Sequence, residues 1–181
     1  MTRSDATILS ATAVDAVARR VGRSYAGEAR GDARVAVVCA KFNGGITQRL
    51  LDGTLAALEA NGIGPDSVTV AWVPGAFELP LAAMRLAESP AIDAVVALGA
   101  VIRGDTAHFD FVAGECAAGL QRVSLDTGVP VSFGVLTTDT VEQALARCAA
   151  GDDNKGYEAA VTALEMADLL RKLPSPAQPA R

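Results

Sequence analysis

The residue types best suited to chemistry crowd into one stretch. Arg103-Gly104-Asp105-Thr106-Ala107 leads into His108, the only histidine in the chain. Glycine, a short acid and a threonine in a turn can present backbone N–H groups and a hydroxyl to a phosphate, although Gly-Asp-Thr is also ordinary turn chemistry. A histidine opening a helix feels the positive end of the helix dipole, which keeps the neutral imidazole available, and a nearby carboxylate would oppose that effect. Tuning of this kind suits general acid–base catalysis. Taken alone, His108 also reads as a satisfied polar residue in a helical first turn.

Other candidates have equally plain readings when taken singly. Arg147 near a helix end is a phosphate cation or a solvated charge. Lys155, in Asp152-Asp153-Asn154-Lys155-Gly156, is a second such cation or part of a connector. Glu78 and Glu158 are polar ligands or favourable first-turn charges. The chain has only five phenylalanines, and Phe42, Phe77 and Phe133 lie in or beside the same set of segments. Convergence supplies the argument for a site: rings to stack a heterocycle, an anion pocket and one titrating imidazole.

The elements that must position these residues alternate regularly. A continuous apolar run over 34–40 reads as a strand buried on both faces, and 67–73, 93–102 and 129–136 read as further strands. Helices are expected over 46–60, with a stripe of Leu50, Leu51, Thr54, Leu55 and Leu58, then from Pro80 to about 88, 108–126, after a Thr140/Gln143 capping box, and 157–172. Strand alternating with helix predicts an α/β fold, a three-layer αβα sandwich on a four-stranded parallel sheet. Right-handed crossovers leave few orders, of which the flavodoxin-like 2-1-3-4 is expected, with an extra N-terminal edge segment. Ligands in such sheets bind beyond the carboxyl ends of the strands, near the switch point. The candidate residues stand at those ends. Three segments are expected: a helical or frayed extension over 1–24, the main domain over 25–173, and a loose tail over 174–181.

Composition narrows the function. A chain of 181 residues, half of them hydrophobic, can bury a full core. A net charge of −5 argues against an electrostatic nucleic-acid binder. Cys39, Cys116 and Cys148 are odd in number and unpaired in sequence, which favours buried reduced thiols and the cytoplasm. The apolar runs are strand-length, so no membrane span is expected. Without a metal-ligand cluster, GxGxxG or P-loop, the expected reaction is a proton transfer, condensation or elimination that uses no cofactor and no metal.

Five segments together carry a resemblance: Phe42-Asn43, Val73-Pro74-Gly75-Ala76-Phe77-Glu78-Leu79-Pro80, Gly99 to Asp110, Phe133 to Thr137, and Asn154 to Ala160. In this order, over about 25–173, they resemble the 6,7-dimethyl-8-ribityllumazine synthase family. The resemblance implies condensation of 5-amino-6-(D-ribitylamino)uracil with 3,4-dihydroxy-2-butanone 4-phosphate, the penultimate step of riboflavin synthesis. It implies that Phe42 stacks on the pyrimidine, and that Asn43, Gly75, Ala76, Phe77 and Glu78 meet its backbone-facing and ribityl groups. Val101, Ile102 and Arg103 would contact the ring. Asp105 and Thr106 would hold the phosphate, with Arg147 as its cation. His108 would move protons with Glu158 as its carboxylate partner. Phe133 and Lys155 would come from a neighbouring subunit of a pentamer, a unit that in some members builds a shell of sixty chains. Ala107 stands where proline is common in the family, and 1–24 precede its usual beginning. Two alternatives remain: a lumazine- or flavin-binding protein without turnover, and a mainly structural cage. His108, Arg147 and Glu158 argue against a pure binder, which needs no acid–base pair.

Overall fold

The computed structural model describes residues 9–174. Four parallel strands form its centre: β1 (Val35–Ala40), β2 (Val68–Val73), β3 (Ala94–Ile102) and β4 (Val131–Thr138). Their order is β2-β1-β3-β4, the one expected. β1 and β3 hold the middle and are buried on both faces, as their unbroken apolar runs require. β2 and β4 are edges, so Val70, Trp72 and Phe133 remain partly open to solvent.

Helices cover both faces. On one lie α2 (Gly44–Ala60) and α6 (Lys155–Lys172), packed with Val35, Val37, Val96 and Leu98. On the other lie α3 (Leu79–Ala87) and α4 (His108–Thr127), packed with Ala36, Val38, Val95 and Ala97. The alternation of partners along each strand is the period-2 pleat at work. α5 (Val141–Arg147) closes the end of β4. Its capping box forms in modified shape: Thr140 Oγ1 accepts from Gln143 N, while Gln143 Oε1 accepts from Asp139 N. α2 and α6 approach so closely that a Cβ on Gly156 would stand 2.0 Å from Leu50 O.

Two expectations change in detail. Of the expected α2 stripe, Leu50, Leu51, Thr54 and Leu58 are buried, joined by Ile46, Thr47 and Ala57, while Leu55 faces out at 39% exposure. α6 begins at Lys155, two residues early, because Asn154 Oδ1 accepts from both Gly156 N and Tyr157 N and caps it.

The segment before β1 adds no strand among the described residues. α1 (Ala11–Ala18) buries none of its residues, and the following chain runs along α6 rather than along a sheet edge. A Cβ on Gly27 would meet Glu165 O at 1.8 Å, so only glycine allows this approach. Asp168, whose side chain is 8% exposed, fastens the segment. It accepts from Glu28 N at 2.8 Å and pairs with Lys172 Nζ at 2.7 Å, and Lys172 also donates to Ala26 O. The expected 1–24 segment lies partly, and the 174–181 tail almost wholly, outside the described residues.

Lys172 first, then the Glu28 N–H, hold the Asp168 carboxyl below its ordinary pKa. A depressed folded pKa stabilises above the unfolded value of about 3.9, and the benefit is lost as pH falls through the folded value. Asp168→Asn should therefore unfold at lower denaturant than wild type at pH 7. The two curves should converge below about pH 4. An undiminished gap in the acid range would show that the carboxylate charge is not what holds the segment.

Candidate active site

The chain leaves β1 toward β2 on one side and β3 toward β4 on the other. The switch point therefore lies between β1 and β3, and the connections that follow them diverge there. One side chain bridges the gap. Asn43 Nδ2 donates to Ala100 O at 2.9 Å, tying the turn after β1 to β3. The geometry needs φ 56° at Asn43, the only left-handed non-glycine residue among those described. Asparagine tolerates that conformation better than most residues. No side chain caps α2.

Around this bridge stand the first candidates. Phe42, whose N–H donates to Pro74 O at 3.0 Å, is 72% exposed. A single turn of 3-10 helix, Ala76–Glu78, follows β2. Glu78 Oε2 accepts from Gly75 N at 2.9 Å, so this carboxylate folds back on its own turn, and Phe77 is 58% exposed beside it. Ala76 and Val101 are buried, and Ile102 is half-buried.

Gly104-Asp105-Thr106 form an exposed turn into α4. Thr106 Oγ1 accepts from His108 N at 3.4 Å, a weak bond, and α4 has no side-chain cap. The His108 side chain is exposed beside the turn. Arg103, exposed at the end of β3, turns its side chain to two carboxylates and a phenylalanine. Its Nε meets Asp139 Oδ1 and its Nη2 meets Asp110 Oδ1, each at 3.1 Å, and the guanidinium lies over Phe109 at 4.1 Å. Asp110 first, then Asp139, push its pKa up, fixing the positive charge.

Four candidates gather separately. Phe133, Arg147, Lys155 and Glu158 line a cleft of about 460 Å³ beside edge strand β4, together with Thr137 and Thr162. Phe133 is 44% exposed. Arg147 Nη1 donates to Gln143 O at 3.0 Å, and Lys155 Nζ pairs with Glu158 Oε1. The expected pairing of Glu158 with His108 is not made within this chain: Glu158 belongs with Lys155, and His108 is not among the cleft residues. The structure thus brings the candidates together as two groups.

Sequence reading missed Asp110, Asp139 and Phe109 as partners of Arg103. Asp110 and Phe109 lie within a short helical reach, a readable signal, but nothing in the sequence links positions 103 and 139. No group of three His, Cys, Asp or Glu side chains able to hold a metal occurs among the described residues. The three thiols are buried, and burial pushes Cys39 up to about 12 and Cys116 to about 11. Neither is therefore a ready thiolate nucleophile.

Residues 32–171 match the model of the family described as 6,7-dimethyl-8-ribityllumazine synthase. A protein of Edwardsiella ictaluri (strain 93-146), named 6,7-dimethyl-8-ribityllumazine synthase, is 56% identical over 142 residues, covering 78% of this chain and 91% of that protein.

The bridge at the switch point can be tested without substrate. Asn43→Ala loses the bond to Ala100 and keeps a strained left-handed backbone, so it should cost about 2–3 kcal/mol in denaturant unfolding. Asn43→Gly relieves the strain and should cost less. Equal losses from the two variants would show that the left-handed geometry carries no energy.

Proposed function

The chain belongs to the 6,7-dimethyl-8-ribityllumazine synthase family, and we propose that its two residue groups are the halves of one active site completed between subunits. The enzyme makes 6,7-dimethyl-8-ribityllumazine for riboflavin biosynthesis from 5-amino-6-(D-ribitylamino)uracil and 3,4-dihydroxy-2-butanone 4-phosphate, releasing phosphate and water. One observation carries the divided site. Phe42, beside Asn43 at the switch-point end, is 72% exposed, while Phe133 lines a separate open cleft with both cations. Neither group alone encloses a heterocycle and an anion.

In this reading Phe42 stacks on the pyrimidine. The turn Gly75 to Glu78 offers backbone groups to the ring and the Glu78 carboxylate to ribityl hydroxyls. Val101 and Ile102 form the wall along β3. Asp105-Thr106 and the positive N-terminal end of α4 receive the phosphate of the ketone substrate. Phe133, Arg147, Lys155 and Glu158 come from the adjoining subunit of a pentamer, the unit from which a sixty-chain shell would be built. Arg147 then supplies the cation the phosphate needs, which the loop itself lacks once Arg103 is engaged.

The chemistry needs positioning more than it needs a strong catalyst. The 5-amino group attacks the ketone, and loss of water gives an imine. Removal of a proton from the neighbouring carbon allows phosphate to leave. Attack by the ribitylamino nitrogen then closes the ring with loss of a second water. Each step moves a proton, and in this reading His108, next to the phosphate turn in sequence, carries them. Glu158 from the neighbour would orient its imidazole. Holding two substrates in contact supplies much of the acceleration.

Mixing the protein with both substrates should give lumazine absorbance and one phosphate per product. A rate no higher than the spontaneous reaction would refute the synthase reading. His108→Ala should lower kcat roughly 10²-fold or less, since general acid–base steps contribute about 10²–10⁴ and imine chemistry proceeds without one shuttle. A pH–rate profile identical to wild type would remove His108 from proton transfer. Arg147→Ala should raise KM for the phosphorylated substrate, and an unchanged KM would take it out of the anion pocket.

A further inference from the structure

The phosphate turn stands in an unexpected electrostatic setting. Asp105 lies within it, Asp110 in the first turn of α4, and Asp139 just beyond β4. A phosphate arriving at this end of the sheet would meet three carboxylates. Unit charges several ångströms apart near a protein surface still interact by about 1–2 kcal/mol, so this arrangement opposes anion binding. Arg103 is the side chain that answers it. Its fork engages Asp139 and Asp110 at once, and the guanidinium plane rests on the Phe109 ring. The backbone of Arg103 is also fixed, with its N–H donating to Thr138 O at 2.9 Å.

We propose that Arg103 is a positioning residue for the phosphorylated substrate: it neutralises Asp110 and Asp139 on either side of the 104–107 turn, leaving that turn able to accept an anion. The proposal rests on the reading of this turn as the phosphate loop. It adds to the expected ring contact of Arg103 a role for its side chain, whose Nε donates to Asp139 and whose Nη1 and Nη2 donate to Asp110. A second consequence follows from Asp139. Its N–H is held by Gln143 of α5, the helix whose last residue is Arg147. One guanidinium therefore joins the loop of one half-site to the helix carrying the cation of the other. Exposed pairs of this kind add little to folding, so the network's effect should appear in substrate binding rather than in stability.

Steady-state kinetics with each substrate varied in turn will test this. Arg103→Met should raise KM for the butanone phosphate roughly tenfold at low salt, with KM for the ribitylaminouracil nearly unchanged and kcat affected less. Added salt should shrink the difference, because it screens the uncovered carboxylates. Arg103→Met combined with Asp110→Asn and Asp139→Asn should recover most of the lost affinity. If Arg103→Met does not fold, the Asp110→Asn/Asp139→Asn protein, which keeps Arg103 and sheds two negative charges, should bind the phosphorylated substrate more tightly than wild type. Equal rises in both KM values, no recovery in the charge-neutral variant, or an unchanged KM in the double variant would each overturn the assignment. Wild-type turnover is measured first: its absence removes the synthase reading and this proposal together, whereas normal turnover with an unselective Arg103 variant removes the proposal alone.

Discussion

The pairing of β1 with β3 is the constraint on which the rest depends. Both strands are buried on both faces, and the connections beyond them turn in opposite directions. A crevice must open where those connections part. Asn43 spans it through Ala100 O, accepting a left-handed backbone to do so. Phe42, the turn after β2 and the turn after β3 are all placed by that geometry. Remote packing on both sheet faces supplies the rigidity, so the exposed residues at the crevice need little support of their own.

Edge position explains the second group. β4 has a neighbour on one side only, so its outer flank carries the cleft lined by Phe133, Arg147, Lys155 and Glu158. A partly exposed phenylalanine beside an unpaired strand edge is unfavourable for an isolated chain. The same arrangement is favourable if another subunit covers it. Charge follows the same division. Lysine and arginine stand at the β4 cleft, while the turn into α4 holds carboxylates answered by Arg103.

Much of this was legible in the sequence, for physical reasons. Strands buried on both faces must be continuously apolar, so β1 and β3 announce themselves, and right-handed crossovers leave few orders for the four strands. Positions of the candidates at strand ends follow in turn. What the sequence does not carry is side-chain choice among alternatives. Glu158 could reach His108 or Lys155, and within the chain it takes Lys155. Arg103 could face a ligand or Asp139, and a separation of 36 positions hides their meeting. The α2 stripe included Leu55 because a leucine fits an apolar face, but the buried face extends on its other edge, to Ile46 and Ala57. Small residues give weak periodic signals, and this chain is rich in alanine. The segment before β1 gave no pattern that distinguishes a sheet edge from the groove along α6, where Gly27 and Asp168 hold it.

The central claim is that the site is complete only where two subunits meet, and subunit mixing tests it most directly. Phe42→Ala damages one half-site and Arg147→Ala the other. Each variant alone places one fault at every junction. When the two are unfolded and refolded together, some junctions pair an intact Phe42 face with an intact Arg147 face. The account predicts lumazine formation well above the average of the two separate variants. Activity no higher than that average, in assemblies shown to contain both chains, would contradict it and return the whole site to a single subunit.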